Sequence, residues 1–342
     1  MKDENRFADK KFPKINFIGN KEKITGWMFD NIDVKGETFF DAFSGGCSVS
    51  FEAKKRGYKV ITNDILKINY FIGKSLIENK KITLSNEDVD TIFSGHPVKG
   101  FMYENYSNVT FFPEECMELD LYRKNIEKLR NPYKKTMAFI LLRRSMIRKM
   151  PYSRFTIPWN KVKQLRDENF SYMNYGRKRA YHNQSFREHF STNLQNYNDA
   201  VFDNGKDNKS YNEDIFDLLP RMRADIIYLD PPYSGSLNNY YGFYGMLDEY
   251  IESKRIEPSK NNFSTKKNSF ELLANLFAKL KNFRYWLLSY NNNSYPRRDE
   301  LTALIKRYAS DVHVIDRKHN YQITGRSTKT KNIEYLFIIR SR

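Results

Sequence analysis

The chain has 342 residues, and its 26 Phe, 24 Tyr and 3 Trp give a ring content of 15%, enough to build a large core and to exclude global disorder. Two cysteines exclude a disulfide framework and a structural zinc cluster, and the five histidines show no ligand spacing, so no metal is expected. The formal net charge is +17, the start MKDENRFADKKF lacks the apolar core of a signal peptide, and runs such as Met137 to Leu142 fall far short of a membrane span; a cytoplasmic protein with no membrane partner is expected.

In chain order, Lys21 to Asn31 predicts a short amphipathic helix opened by the Gly19-Asn20 turn. Residues 38–43 form an apolar, β-prone run containing Asp41. The turn Ser44-Gly45-Gly46-Cys47-Ser48 follows, then a helix from Val49 to Arg56 closed by Gly57, and a second strand over 58–64 that ends in Asp64. Strand, glycine turn, helix and strand open a doubly wound sheet, so the fold class is α/β, Rossmann-like, with helices on both faces. This pattern stops near residue 75 and resumes near 210, after a polar linker over 204–209. Residues 225–229 then read as a buried strand running into Asp230-Pro231-Pro232-Tyr233. A helix is predicted over 270–280, a strand over 285–290 and a helix over 299–308. Strands over 311–315 and 333–339 close the chain around a polar, mobile stretch.

The intervening segment is unlike the rest. From Arg123 to Arg187 there are 18 Lys and Arg against three acids, interleaved with Tyr133, Phe139, Tyr152, Phe155, Trp159, Phe170, Tyr172, Tyr175 and Tyr181. A solvated basic face is the bland reading, but this density with aromatics fits a phosphate backbone, which rewards such a surface by releasing counterions. The expected organisation is an α/β domain from 1–74 and 206–342, and an inserted, mainly helical lobe from 75–205 that binds nucleic acid.

Two motifs carry chemistry. Glycines after the first strand let the backbone bend and approach a ligand beside a helix N-terminus, and Asp64, 18 residues beyond Gly46, is placed to accept from ribose hydroxyls. A glycine turn of this kind is structural as often as it is a nucleoside site, and Cys47 stands where a further glycine is usual. The Asp230-Pro231-Pro232-Tyr233 turn is more specific. It leaves a strand at the carboxyl edge of the sheet, where two prolines fix Asp230 and the neighbouring carbonyls. The Asp230 carboxylate and the Pro231 carbonyl are set to grip an exocyclic amino group, and Tyr233 to stack on a base.

With these motifs in place, the chain resembles the adenine-specific, D12-class amino-group DNA methyltransferases. Residues 16–21, with Phe17 and Lys21, are similar to the family's N-terminal segment. Residues 41–50 are similar to its S-adenosyl-L-methionine motif, and Asn63-Asp64-Ile65 to its acidic ribose position. Residues 212–216, 288–292 and 155–159 resemble its adenine-contacting segment, a later strand motif and a DNA-touching loop. Asp230-Pro231-Pro232-Tyr233 matches in full. The motif order resembles the α-type arrangement, with the recognition domain inserted between cofactor and catalytic motifs.

The resemblance implies transfer of a methyl group from S-adenosyl-L-methionine to N6 of a flipped adenine in double-stranded DNA, within a restriction-modification system and with a separately acting endonuclease as a possible partner. It places Phe17, Lys21, Asp41, Phe43, Ser44, Gly45, Gly46, Asp64, Ile65, Asp214, Ile215 and Asp230 at the cofactor. Asp64 would take the ribose, Asp214 the adenine amino group, and Phe17, Phe43 and Ile65 the apolar walls. Asp230, Pro231, Pro232 and Tyr233 form the catalytic set, and Arg143, Arg144, Arg148, Lys149 and Arg154 are expected on DNA. The alternatives are N4-cytosine methylation, where Ser usually replaces Asp in the first motif position, an rRNA adenine methyltransferase, where Asn does, and a non-catalytic DNA-binding protein that kept the fold.

Overall fold

In a computed structural model of the chain, the described residues are 7–17, 19–176, 178, 180–234, 240–257, 263, 265–318 and 332–342. Seven strands form one sheet: β1 (Thr38–Asp41), β2 (Lys59–Asn63), β3 (Lys209–Tyr211), β4 (Ala224–Leu229), β5 (Phe283–Asn291), β6 (Ala309–Lys318) and β7 (Ile333–Ser341). Their spatial order is β3-β2-β1-β4-β5-β7-β6. The first five are parallel, and β7 inserts antiparallel between β5 and β6. Most of the polar stretch between the last two strands, 319–331, lies outside the described residues.

Order reverses at β1 and β4, which lie side by side with Phe40 opposite both Ile61 and Ile227. The carboxyl ends of these two strands deliver the glycine turn and Asp230, so both motifs open on the crevice that such a switch point creates. Asp225 fixes the opposite ends, since its Oδ2 accepts from the Glu37 and Thr38 amides at 2.8 and 3.0 Å. Large apolar side chains cover both faces: Phe39, Val60 and Ile226 on one, and Phe40, Ile227, Trp286 and Phe277 on the other. Burial on both sides explains why these strands read as continuous apolar runs.

Helix boundaries follow local chemistry. Asn131 accepts from the Tyr133 and Lys134 amides and Pro132 occupies the first turn, starting the helix Pro132–Lys149. Ser85 with Asp88 and Ser185 with Glu188 form capping boxes that open Asn86–Phe93 and Phe186–Asp199. The intervening segment is therefore helical, but its core is continuous with one face of the sheet. Phe139 lies 5.5 Å from Phe71 and 6.3 Å from Tyr250, and the Ser75 and Thr136 hydroxyls meet at 2.9 Å.

Two local expectations change. The stretch 204–209 is tied down by buried asparagines: Asn204 donates to the Lys54 and Tyr58 carbonyls, and Asn208 accepts from the Val60 amide. Its polar composition reflects side chains that satisfy backbone groups inside the protein, and β3 begins at Lys209. The first helix is shorter than its periodicity predicts, running Thr25–Asp30, with a turn ahead of it in which the Lys21 carbonyl accepts from the Ile24 and Thr25 amides.

Candidate active site

The glycine turn is built by close packing. Gly45 has φ +47°, and a Cβ there would lie 2.7 Å from the Phe17 ring; one on Gly46 would lie 2.9 Å from Phe17 Cβ. Phe17 can lie against this backbone only because both positions lack side chains, and its other face stacks on Tyr244 at 4.9 Å. Cys47 adopts φ +61°, the left-handed region glycine favours, and starts the helix Ser48–Lys55 without a side-chain cap. The first turn of that helix therefore presents backbone N–H groups at the edge of the crevice.

Two buried acids flank the turn. Asp64 accepts from the Gly45 amide at 2.8 Å and the Leu66 amide at 2.9 Å, so it braces the turn against the end of β2. Burial pushes its carboxyl up to about 6, partly offset by those two N–H donors. Asp41 is also fully enclosed; burial pushes it up to about 7 against the Ser50 hydroxyl, which donates to it at 2.5 Å. Ser44 is buried, whereas Ile65 is 47% exposed beside Asp64.

Asparagines lock the neighbouring strand ends. Asn63 and Glu213 exchange bonds between β2 and the segment after β3, and Asn212 donates to the Asp64 and Ile65 carbonyls. Asp214 accepts from the Phe216 amide and caps the short helix that begins at the buried Ile215. Phe43 and Phe216 both contact Phe263, one edge-on at 5.4 Å and the other stacked at 6.0 Å.

The catalytic motif is more crowded than its sequence implies. Tyr233 donates its hydroxyl to Asp230 Oδ1 at 2.5 Å, and its ring meets Tyr290 edge-on at 5.4 Å. Lys21, expected at the cofactor, lies beside this motif. Its ammonium lies 3.1 Å from both Asp230 oxygens, 3.1 Å from the Tyr233 hydroxyl and 3.2 Å from Glu334 Oε1. Lys21 is 2% exposed and Glu334 1%. The motif can therefore present a fixed carboxylate to an amino group, with a cation already beside it. Pro231 is buried and Pro232 partly buried, so the turn is held from both sides.

Most of the expected DNA contacts prove to be internal. Arg143 is 1% exposed and donates to the Ile15 and Asn16 carbonyls, with its guanidinium 5.8 Å from the Tyr244 ring centre. Lys149 bonds Glu115 at 3.0 Å and the Gln184 carbonyl at 2.5 Å. Arg166 grips the same glutamate with two bonds. Although burial pushes the Glu115 carboxyl up, Arg166 and then Lys149 outweigh it and hold it below the usual range. Arg144 is 6% exposed and reaches toward Asn193. Arg143, Arg144 and Lys149 are therefore interior cations, Arg143 tied to residues 15 and 16 and Lys149 to Glu115, and they are not surface contacts for a phosphate. Their burial follows from lying on a helix packed all round, which local charge density does not reveal.

Arg148 and Arg154 stay partly exposed. Arg148 lies 4.5 Å from the ring centre of the exposed Tyr181, and Tyr152, Tyr172, Met173 and Tyr175 are exposed nearby in sequence.

Sequence reasoning missed Glu334, Tyr244 and Phe263. Glu334 carried one available signal, a lone acid at the start of an otherwise apolar strand that faces Asn291 on β5. Among the described residues no His, Cys, Asp and Glu group could hold a metal ion, and no helix is long and apolar enough to cross a membrane.

The chain is 57% identical to the type II methyltransferase M2.HphI of Haemophilus parahaemolyticus over 97% of its length and 99% of that protein. It is 25% identical to the type II methyltransferase M.CviAII of Paramecium bursaria Chlorella virus 1, over 95% of this chain and 98% of the relative. It is also 25% identical to the modification methylase StsI of Streptococcus sanguinis, covering 95% of this chain and 52% of that longer protein. The family model for D12 class N6 adenine-specific DNA methyltransferases matches residues 17–304, from the Phe17 that packs on the glycine turn to beyond the strand behind Tyr233, and the chain belongs to that family.

Proposed function

We propose that this chain transfers the methyl group of S-adenosyl-L-methionine to N6 of an adenine flipped out of a specific duplex DNA site, as the modification arm of a restriction-modification system. The observation that carries this reading is the placement of Asp230 and Tyr233 at the carboxyl end of β4, one strand from the glycine turn on β1. The residues around the turn fit the cofactor. The uncapped helix start offers N–H groups to a carboxylate, Asp41 and Asp64 offer acceptors to an ammonium and a ribose, and Phe17, Phe43 and Ile65 offer apolar walls. Asp214 is assigned to the adenine amino group.

The reaction needs a methyl donor that is already activated, which the cofactor supplies when bound. The chain's own contribution is orientation. Asp230 and the Pro231 carbonyl accept the two N–H bonds of the target amine, turning its lone pair toward the methyl carbon, while Tyr233 supports the base plane. The amino proton leaves to solvent after transfer. No cysteine nucleophile takes part, because an exocyclic amine attacks directly and both thiols are buried. Residues 75–205 form the recognition segment in this reading, with Arg148 and Arg154 on phosphates; Arg143, Arg144 and Lys149 act from inside by holding the segment's framework.

Expression in a methylation-free bacterial host followed by single-molecule sequencing of its DNA tests the proposal. One sequence motif carrying N6-methyladenine is the expected result. N4-methylcytosine would overturn the base assignment, and unmodified DNA would overturn the reaction.

A further inference from the structure

The Lys21 ammonium lies between two carboxylates, 3.1 Å from Asp230 and 3.2 Å from Glu334, with both Lys21 and Glu334 almost wholly enclosed. A carboxylate has a finite set of lone-pair directions, and on Asp230 one oxygen already receives the Tyr233 hydroxyl as well as Lys21. Lys21 also bonds the other oxygen, so three of about four lone-pair directions are taken and a target amine that bonds Asp230 competes with Lys21 for the carboxylate. A buried ammonium cannot be left without a counter-charge, so it needs somewhere to stay. Glu334 is placed for this. It sits at one end of the antiparallel β5–β7 ladder, opposite Asn291, faces the same hydroxyl at 3.4 Å, and is held by the sheet rather than by a loop.

We propose that Glu334 is a positioning residue that holds Lys21 while the target adenine occupies Asp230, so that the ammonium passes between two carboxylates as the base enters and leaves. The inference rests on the reading of Asp230 as the acceptor of the target amino group. In the empty site Lys21 keeps Asp230 paired; in the occupied site Glu334 keeps Lys21 paired. No bond to carbon is made or broken in this exchange, and the charge of the cluster is unchanged.

The test is Glu334→Gln, which keeps shape and removes the second charge. Lys21 is then left with Asp230 as its anionic partner and competes with the substrate amine. Single-turnover methylation of the cognate duplex should fall at least tenfold at neutral pH, with equilibrium binding of DNA and of S-adenosyl-L-methionine within twofold of the wild type. A second signature separates this from general damage: the variant's rate should recover as pH rises toward 10, where a lysine ordinarily loses its proton and its hold on Asp230. A wild-type rate, or a loss that does not change with pH, would overturn the proposal. If Glu334→Gln fails to fold, Glu334→Asp keeps the charge but withdraws it by one methylene; a smaller loss with the same alkaline recovery is expected, and a wild-type rate or a pH-independent loss there would overturn the proposal equally. Turnover by Asp230→Ala would instead remove the reading on which the inference rests.

Discussion

Arg143 separates the two roles that charge alone leaves open. As a DNA contact, its loss would weaken binding and reduce the salt dependence of log K by about 0.9 per phosphate released. As an internal brace, its loss would destabilise the fold and leave that slope alone. Arg143→Met keeps the stem volume and removes the guanidinium that donates to the Ile15 and Asn16 carbonyls at 2.5 and 3.3 Å. Hydrogen bonds to a charged group contribute about 1.5–3 kcal/mol each, and the second bond is long, so the loss is about 3–4 kcal/mol. With an unfolding entropy of about 2.1 cal/mol/K per residue, a chain this long unfolding as one unit should melt about 4–6 °C lower. The same carbonyls belong to the segment that carries Phe17, so affinity for S-adenosyl-L-methionine should fall as well. Differential scanning calorimetry, a calorimetric cofactor titration and DNA binding across a salt series measure all three. An unchanged melting temperature with a slope reduced by about 0.9 would refute the internal role.

Other expectations concern the site and the DNA surface. Asp230→Ala should abolish methylation while leaving the melting temperature and DNA affinity close to wild type; retained turnover would remove Asp230 from the chemistry. Cofactor affinity should fall as pH drops through about 6, because burial holds the Asp64 carboxyl up to that value and its protonated form is the weaker acceptor for ribose hydroxyls. Binding that favours the carboxylate releases a proton, so the decline should approach roughly tenfold per pH unit below that point, and isothermal titration between pH 5 and 8 would show it. A flat profile would place the ribose elsewhere. Neutralising Arg148 and Arg154 together should lower the salt slope of DNA binding by roughly 1.8 if each meets one phosphate; an unaltered slope would move the interface to other cations of the insert.

Much of the chemistry is legible in the chain because it depends on local geometry. A glycine pair after a short strand, and an acid followed by two prolines after another, each fix their own backbone, and the apolar runs around them can form only buried strands. Cys47 shows the same logic from the other side: the position where a glycine is usual does take a left-handed conformation, and a cysteine bears it.

What composition cannot report is which neighbours a side chain meets. Arg143 and Lys149 read as surface charge, yet both lie on a helix enclosed on all sides, where backbone carbonyls and Glu115 pair with them. Lys21 and Glu334 stand 313 positions apart and meet at 3.2 Å only because β7 inserts antiparallel beside β5 and brings the last strand back to the catalytic turn. The sequence by itself determined the placement of the glycine turn and the Asp230 turn at strand ends, because strand ends and rigid turns are local devices, and the motifs they carry gave the resemblance from which the reaction class follows. Tertiary structure alone decided which charges serve the site, the interior or the DNA, since a charge's role is set by the dielectric and the partners around it, and these come from distant parts of the chain.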